Sequence, residues 1–98
     1  MQATTLDDLR RRRDRLLALA ARHGAVRLRV FGSVARGDAE PSSDVDFLAL
    51  MGPGRSLLDL GALQMALSEE LDRKIDVVSE NGLRPPRRDR ILAEAQPL

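Results

Sequence analysis

At 98 residues the chain is expected to form a single domain, residues 1–98, near the lower size at which an apolar core is sufficient without help. It has no cysteine and one histidine, which excludes disulfides and thiolate metal sites and leaves oxygen as the ligand for any metal. A net charge of +1 does not mark a general nucleic-acid binder, and two Phe with no Trp or Tyr leave almost nothing on which bases could stack.

The opening residues MQATTLDDLRRRR lack the apolar centre of a signal peptide, and no apolar run approaches the roughly 20 residues of a membrane span. The expected compartment is therefore the cytoplasm. From Thr5 to His23, residues Leu6, Leu9, Leu16, Leu17 and Ala20 recur at helical spacing, predicting one helix capped by Thr5 and stopped by Gly24. Arg10 to Arg13 with Arg15 read as a solvated face balanced by Asp7, Asp8 and Asp14, or as a surface for an acidic partner or RNA. Val26, Leu28 and Val30 then alternate with Arg27 and Arg29, the pattern of a strand with one face on a core.

Ser33 to Arg36 suits one helical turn closed by Gly37, and Asp38 to Ser43 is a loop. Asp44 to Met51 is apolar apart from its two aspartates, which predicts a strand buried on much of both faces. A helix follows over Ser56 to Asp72, with Leu57, Leu60, Leu63 or Gln64, Leu67 and Leu71 along one side. Leu58 and Met65 widen that stripe beyond what a small sheet can cover, so part of it is expected to meet another chain. Lys74 to Ser79 is a short third strand, Asn81-Gly82 a turn, and Pro85-Pro86 can start a last helix from Arg87 to Ala95. The expected fold class is α/β (α+β), in the order α-β-α-β-α-β-α, with a small mixed three-stranded sheet flanked by helices.

The chemistry concentrates in FGSVARGDAEPSSDVDFLAL, Phe31 to Leu50. Residues i and i+2 of a strand share a face about 6.5 to 7 Å apart, so Asp44 and Asp46 project side by side. By itself such a pair can be a solvated edge or a cap. Beside a run as apolar as VDFLAL, however, unpaired carboxylates cost several kcal/mol, and a pair of Mg²⁺ ions about 3.5 to 4 Å apart is a common remedy in phosphoryl chemistry. Asp76 faces away from Ile75 and Val77 and joins the pair if the third strand neighbours the second; otherwise it is a salt-bridge partner for Lys74 or Arg73. Gly32 permits close backbone approach, and Ser33 stands at the start of a helical turn whose free N–H groups favour anions. Arg36 either adds a charge to that anion seat or clamps Asp38 or Glu40.

The set Gly32-Ser33, Ser43-Asp44-Val45-Asp46 and the later Asp76 resembles the signature of the DNA polymerase β-like nucleotidyltransferases, and the chain's size and order resemble the minimal (MNT) branch of that superfamily. That resemblance implies a mixed sheet that binds ATP with two Mg²⁺ ions and transfers the nucleoside monophosphate with release of pyrophosphate. Gly32 and Ser33 would hold the β- and γ-phosphates, Asp44 and Asp46 would ligate metal, and Asp76 would complete the metal site and help to deprotonate the nucleophile. It also implies a partner, since minimal nucleotidyltransferases commonly pair with a small helical HEPN protein, often a ribonuclease toxin that receives AMP on tyrosine. This sequence has no Tyr, so a tyrosine acceptor must come from another chain. The expected activity is thus AMP transfer to a partner protein, the alternatives being an antitoxin that acts by contact alone, or transfer to an RNA 3′ end or a small molecule.

Overall fold

The computed structural model describes residues 2–98 and shows a mixed α+β architecture that differs from expectation in two places. The N-terminal helical segment is two helices, α1 (Leu6–Arg11) and α2 (Arg13–Arg22). Thr5 caps α1 through a reciprocal box with Asp8, and Gly24 follows the end of α2 with φ of 88°. The break falls at Arg12, whose guanidinium donates to the Glu70 carbonyl at 2.9 Å and pins the corner to a later helix. No Gly or Pro marks it, so apolar periodicity alone joins the two.

The chain continues through β1 (Ala25–Phe31), the turn α3 (Gly32–Arg36), β2 (Val45–Met51), α4 (Leu57–Leu71), β3 (Ile75–Ser79), a 3₁₀ turn at Glu80–Gly82 and α5 (Arg87–Glu94). The second difference is at the end, where Gln96–Pro97 form β4 and give the sheet four strands instead of three, in the order β3-β2-β1-β4. β1 runs antiparallel to β2 and to β4. β2 and β3 are parallel, because α4 carries the chain back across the sheet before β3 begins.

One face of the sheet is wholly apolar. Leu28, Val30, Val45, Phe47, Ala49, Ile75 and Val77 meet Leu16, Leu19 and Ala20 of α2 and Leu63 and Leu67 of α4. The opposite face carries a smaller cluster of Phe31, Leu48, Leu83 and Ile91 beneath α5. β2 is therefore buried on both sides, as its near-continuous apolar run requires. In β1 the alternation is cut short, because the register shifts between Ala25 and Arg27; Ala25 takes the inward place and Val26 is left 68% exposed.

Side chains finish the backbone pairing at the rim. Gln64 accepts the Val77 N–H of the edge strand at 3.1 Å, and Asn81 accepts the Met51 N–H at 3.0 Å. Ser56 and Asp59 box the start of α4, and Asp72 ends it in the left-handed region at φ 50°. Leu57, Leu58 and Met65 of this helix remain 83%, 85% and 66% exposed. Among the described residues no helix is long and apolar enough to cross a membrane.

Candidate active site

Register brings the predicted residues together at one end of the sheet. Phe31, the last residue of β1, lies opposite Asp46 of β2, and Asp46 lies opposite Asp76 of β3. Because Phe47 points into the α2–α4 core, Asp46 points to the α5 side, and Asp76, its neighbour across a parallel pair, shares that side. Asp44 stands just before β2, with its carboxylate 3.8 Å from Lys74 Nζ. Lys74 thus pairs with Asp44 and not with Asp76, while Arg73 is occupied by the carbonyls of Pro41 and Gln2. Among the described residues neither Asp46 nor Asp76 has a basic partner within ion-pair distance.

Gly32 is where the chain turns out of β1 toward the carboxylates. Its φ of 75° lies in the left-handed region, and a Cβ at this position would overlap Asp46 Oδ2 and stand 3.1 Å from Asp46 Cγ. Both the backbone angle and the space disfavour a larger residue, which would strain the turn and push the Asp46 carboxylate aside. The turn α3 begins here, with Phe31 in the capping position and no side-chain cap, so Ser33 sits one residue inside the turn and not at its start. Gly37 closes α3 at φ 84°, its N–H 2.9 Å from the Ser33 carbonyl.

Arg36 has two carboxylate partners, Asp38 Oδ2 at 3.3 Å and Glu94 Oε2 at 3.1 Å; Glu40, the other predicted partner, is not among them. Glu94 is marked by no pattern in the sequence. It is the last residue of α5, and its second carboxylate oxygen accepts the Gly32 N–H at 2.7 Å.

Negative charge accumulates around Asp46. Partial burial, then the neighbouring carboxylates of Asp76, Asp44 and Glu94, push its carboxyl up to about 6, and Arg36 only partly opposes them. Among the described residues no three side chains of the metal-ligating types converge closely enough to enclose an ion by themselves. The arginine run of α1 and α2 is largely engaged elsewhere. Arg11 pairs with Asp8, Arg12 and Arg15 with Glu70, and Arg10 donates twice to the Pro97 carbonyl.

Comparison with known proteins gives the family. The model of the nucleotidyltransferase domain family matches residues 12–98. A candidate protein adenylyltransferase of Methanocaldococcus jannaschii is 41% identical over 81 residues, covering 83% of this chain and 87% of the relative. A solved structure of a candidate minimal nucleotidyltransferase superposes with a TM-score of 0.86 at 53% identity, over 97% of each chain. The complex of a tri-AMPylated Shewanella oneidensis HEPN toxin with its MNT antitoxin gives a TM-score of 0.66 at 15% identity, over 86% of this chain and 66% of the other, a likeness of fold alone. With a family match over nearly its whole length and a relative above 40% identity, the chain belongs to the nucleotidyltransferase domain family.

Proposed function

We propose that the protein is a Mg²⁺-dependent adenylyltransferase of the cytoplasm that transfers AMP from ATP to a partner protein, and that it serves as the antitoxin of a HEPN-type toxin pair. The observation that carries the reading is the grouping of Gly32, Asp46 and Asp76: strand register sets Asp46 beside Asp76, and Gly32, the residue after the Phe31–Asp46 pair, lays its bare backbone against the Asp46 carboxylate.

In this reading Asp44, Asp46 and Asp76 hold two Mg²⁺ ions jointly with the nucleotide. The donor set fits. All three offer oxygen, burial and then the repulsion of neighbouring carboxylates raise Asp46 and a cation relieves the second, and Mg²⁺ is usually shared between one or two carboxylates and substrate phosphates, not caged by protein. When bound, the metal neutralises charge on the triphosphate and lowers the pKa of the attacking hydroxyl. Gly32 N–H, the Ser33 turn and Arg36 orient the β- and γ-phosphates so that pyrophosphate leaves in line. Asp76, which has no basic partner among the described residues, takes the proton of the acceptor hydroxyl as the new oxygen–phosphorus bond forms and the bond to pyrophosphate breaks.

A protein acceptor is favoured over RNA by two features. Within the N-terminal arginine run, Arg10, Arg11, Arg12 and Arg15 donate to carboxylates and carbonyls of the chain itself, whereas α4 presents Leu57, Leu58 and Met65 to solvent. Neighbours of the same fold are described with a HEPN toxin and with AMPylation, which is the partner class and modification proposed here. The test is transfer of label from α-phosphate-labelled ATP with Mg²⁺ to the product of the adjacent gene. Label on that protein is expected with wild type and should fall at least about 10³-fold in Asp44→Asn/Asp46→Asn. Equal labelling by the double variant would sink the site; silencing of the partner without any labelling would leave an antitoxin that acts by contact.

A further inference from the structure

We propose that Glu94 is a built-in occupant of the triphosphate seat, and that the end of α5 acts as a latch which nucleotide must displace. This rests on the nucleotide reading of the Gly32–Ser33 turn. The two donors assigned there to phosphate, Gly32 N–H and the Arg36 guanidinium, are both taken by the two oxygens of this one carboxylate, at 2.7 Å and 3.1 Å. The contact spans 62 residues of sequence, so it is a product of the fold and not of local chain geometry.

Apart from those donors, Glu94 sits in an unfavourable place. It is the last residue of a helix, where the exposed carbonyls already concentrate negative charge, and it faces the Asp46 side of the aspartate cluster. A carboxylate in such a position is held only by what it binds. A triphosphate offers the same donors more negative charge and brings a counter-cation that the carboxylate lacks. Exchange of one anion for the other therefore has a chemical driving force.

The element that carries Glu94 is also lightly attached. Ile91 is the one fully buried residue of α5; with Leu92 and Ala95, both partly buried, it packs on the smaller cluster of Phe31, Leu48 and Leu83. Beyond it the chain is held by the two-residue β4 against β1, by Arg10 on the Pro97 carbonyl and by Leu98, partly buried against the main core. Few apolar contacts and short pairing mark a segment that opens at low cost. Apparent nucleotide affinity is then reduced by the fraction of molecules in which Glu94 is seated. Contact of a partner with α5 or β4 would tune the activity by moving that fraction.

The test is calorimetric titration of the full chain with the non-hydrolysable analogue AMP-PNP and Mg²⁺, for wild type, Glu94→Gln and Glu94→Asp. Glu94→Gln keeps the shape without the charge and should tighten binding about tenfold; Glu94→Asp, one methylene short of its donors, should tighten it less. Unchanged or weaker binding in Glu94→Gln, with wild type binding normally, overturns the latch and leaves the nucleotide site intact. No binding by any of the three overturns the nucleotide reading and the latch with it. Should a variant fold poorly, wild type alone decides. Amide hydrogen exchange over residues 87–98 should quicken at saturating AMP-PNP, and unchanged or slower exchange overturns the proposal.

Discussion

The two faces of the sheet are built to opposite rules. Toward α2 and α4 every contributing side chain is apolar, and Phe47, Leu16, Leu63 and Leu67 are fully buried. Toward α5 the same strands present Asp46 and Asp76, while Glu94 at the end of α5 is bound by Arg36 of α3, and Glu80 of the 3₁₀ turn is gripped by Arg27 at 2.9 Å and Arg29 at 2.5 Å, both of β1. Among the described residues no charged or polar one is buried outright. The first face holds most of the apolar core, and the second combines the smaller cluster of Phe31, Leu48, Leu83 and Ile91 with like charges held together at a cost to the fold. β2 is the shared element: its odd-numbered residues Val45, Phe47 and Ala49 serve the scaffold, and Asp46 between them serves the site.

The contrast can be broken most severely from the apolar side. Phe47→Ala removes the largest fully buried side chain and should lower stability by about 3 to 5 kcal/mol, a large share of the roughly 5 to 15 kcal/mol available to a domain of this kind. Thermal denaturation followed by circular dichroism measures it. A loss under about 1 kcal/mol would mean that this face is not the scaffold.

A smaller effect is expected where the faces meet. Gly32→Ala forces a Cβ into the left-handed region and against the Asp46 carboxylate, and should cost about 1 to 2 kcal/mol for the backbone alone. Because Asp46 must shift to make room, labelled transfer should drop far more than stability does. Parallel losses of the two would argue that Gly32 is a structural turn and nothing more.

The smallest effect has the opposite sign. Asp46 ionises near 6 in the folded protein against 3.8 as its reference, so between those values the folded state holds a proton that the unfolded chain has released. Stability of the metal-free protein therefore falls as pH rises from about 4 through about 6, and the cost is fully present at pH 7. Asp46→Asn should flatten that slope in denaturant titrations with chelator present. At pH 7 it should raise stability by about 1 kcal/mol, the full shift being reduced because the group is partly solvated. A variant less stable than wild type at pH 7 would show that the carboxylate supports the fold.

Features with local causes are legible in the residues themselves. The cap at Thr5, the stop at Gly24, and α4 between Ser56 and Asp72 follow from short-range chemistry that a few neighbouring residues complete. The candidate site residues Gly32, Ser33, Arg36, Asp44, Asp46 and Asp76 can be proposed from spacing and resemblance, and five of them lie within fifteen residues of one another in the chain. What escapes such a reading is set at long range. The break at Arg12 answers to Glu70, the two-residue β4 exists only because β1 offers it an edge, and Val26 is turned outward by a register shift.

By itself, then, the amino-acid sequence determined most of the helical and extended segments, α4 and the three longer strands among them, and set two aspartates a short loop away from a Gly-Ser turn in a chain without cysteine. These follow from periodicity, capping and composition, which act over a few residues or over none. Only the tertiary structure decided that Asp76 stands across from Asp46, that Asp44 and not Asp76 faces Lys74, and that Glu94 reaches Gly32 from the far end of the chain. The reason is that strand register and helix placement are fixed by packing of the whole core, and a carboxylate carries no mark in sequence of the donor it will meet.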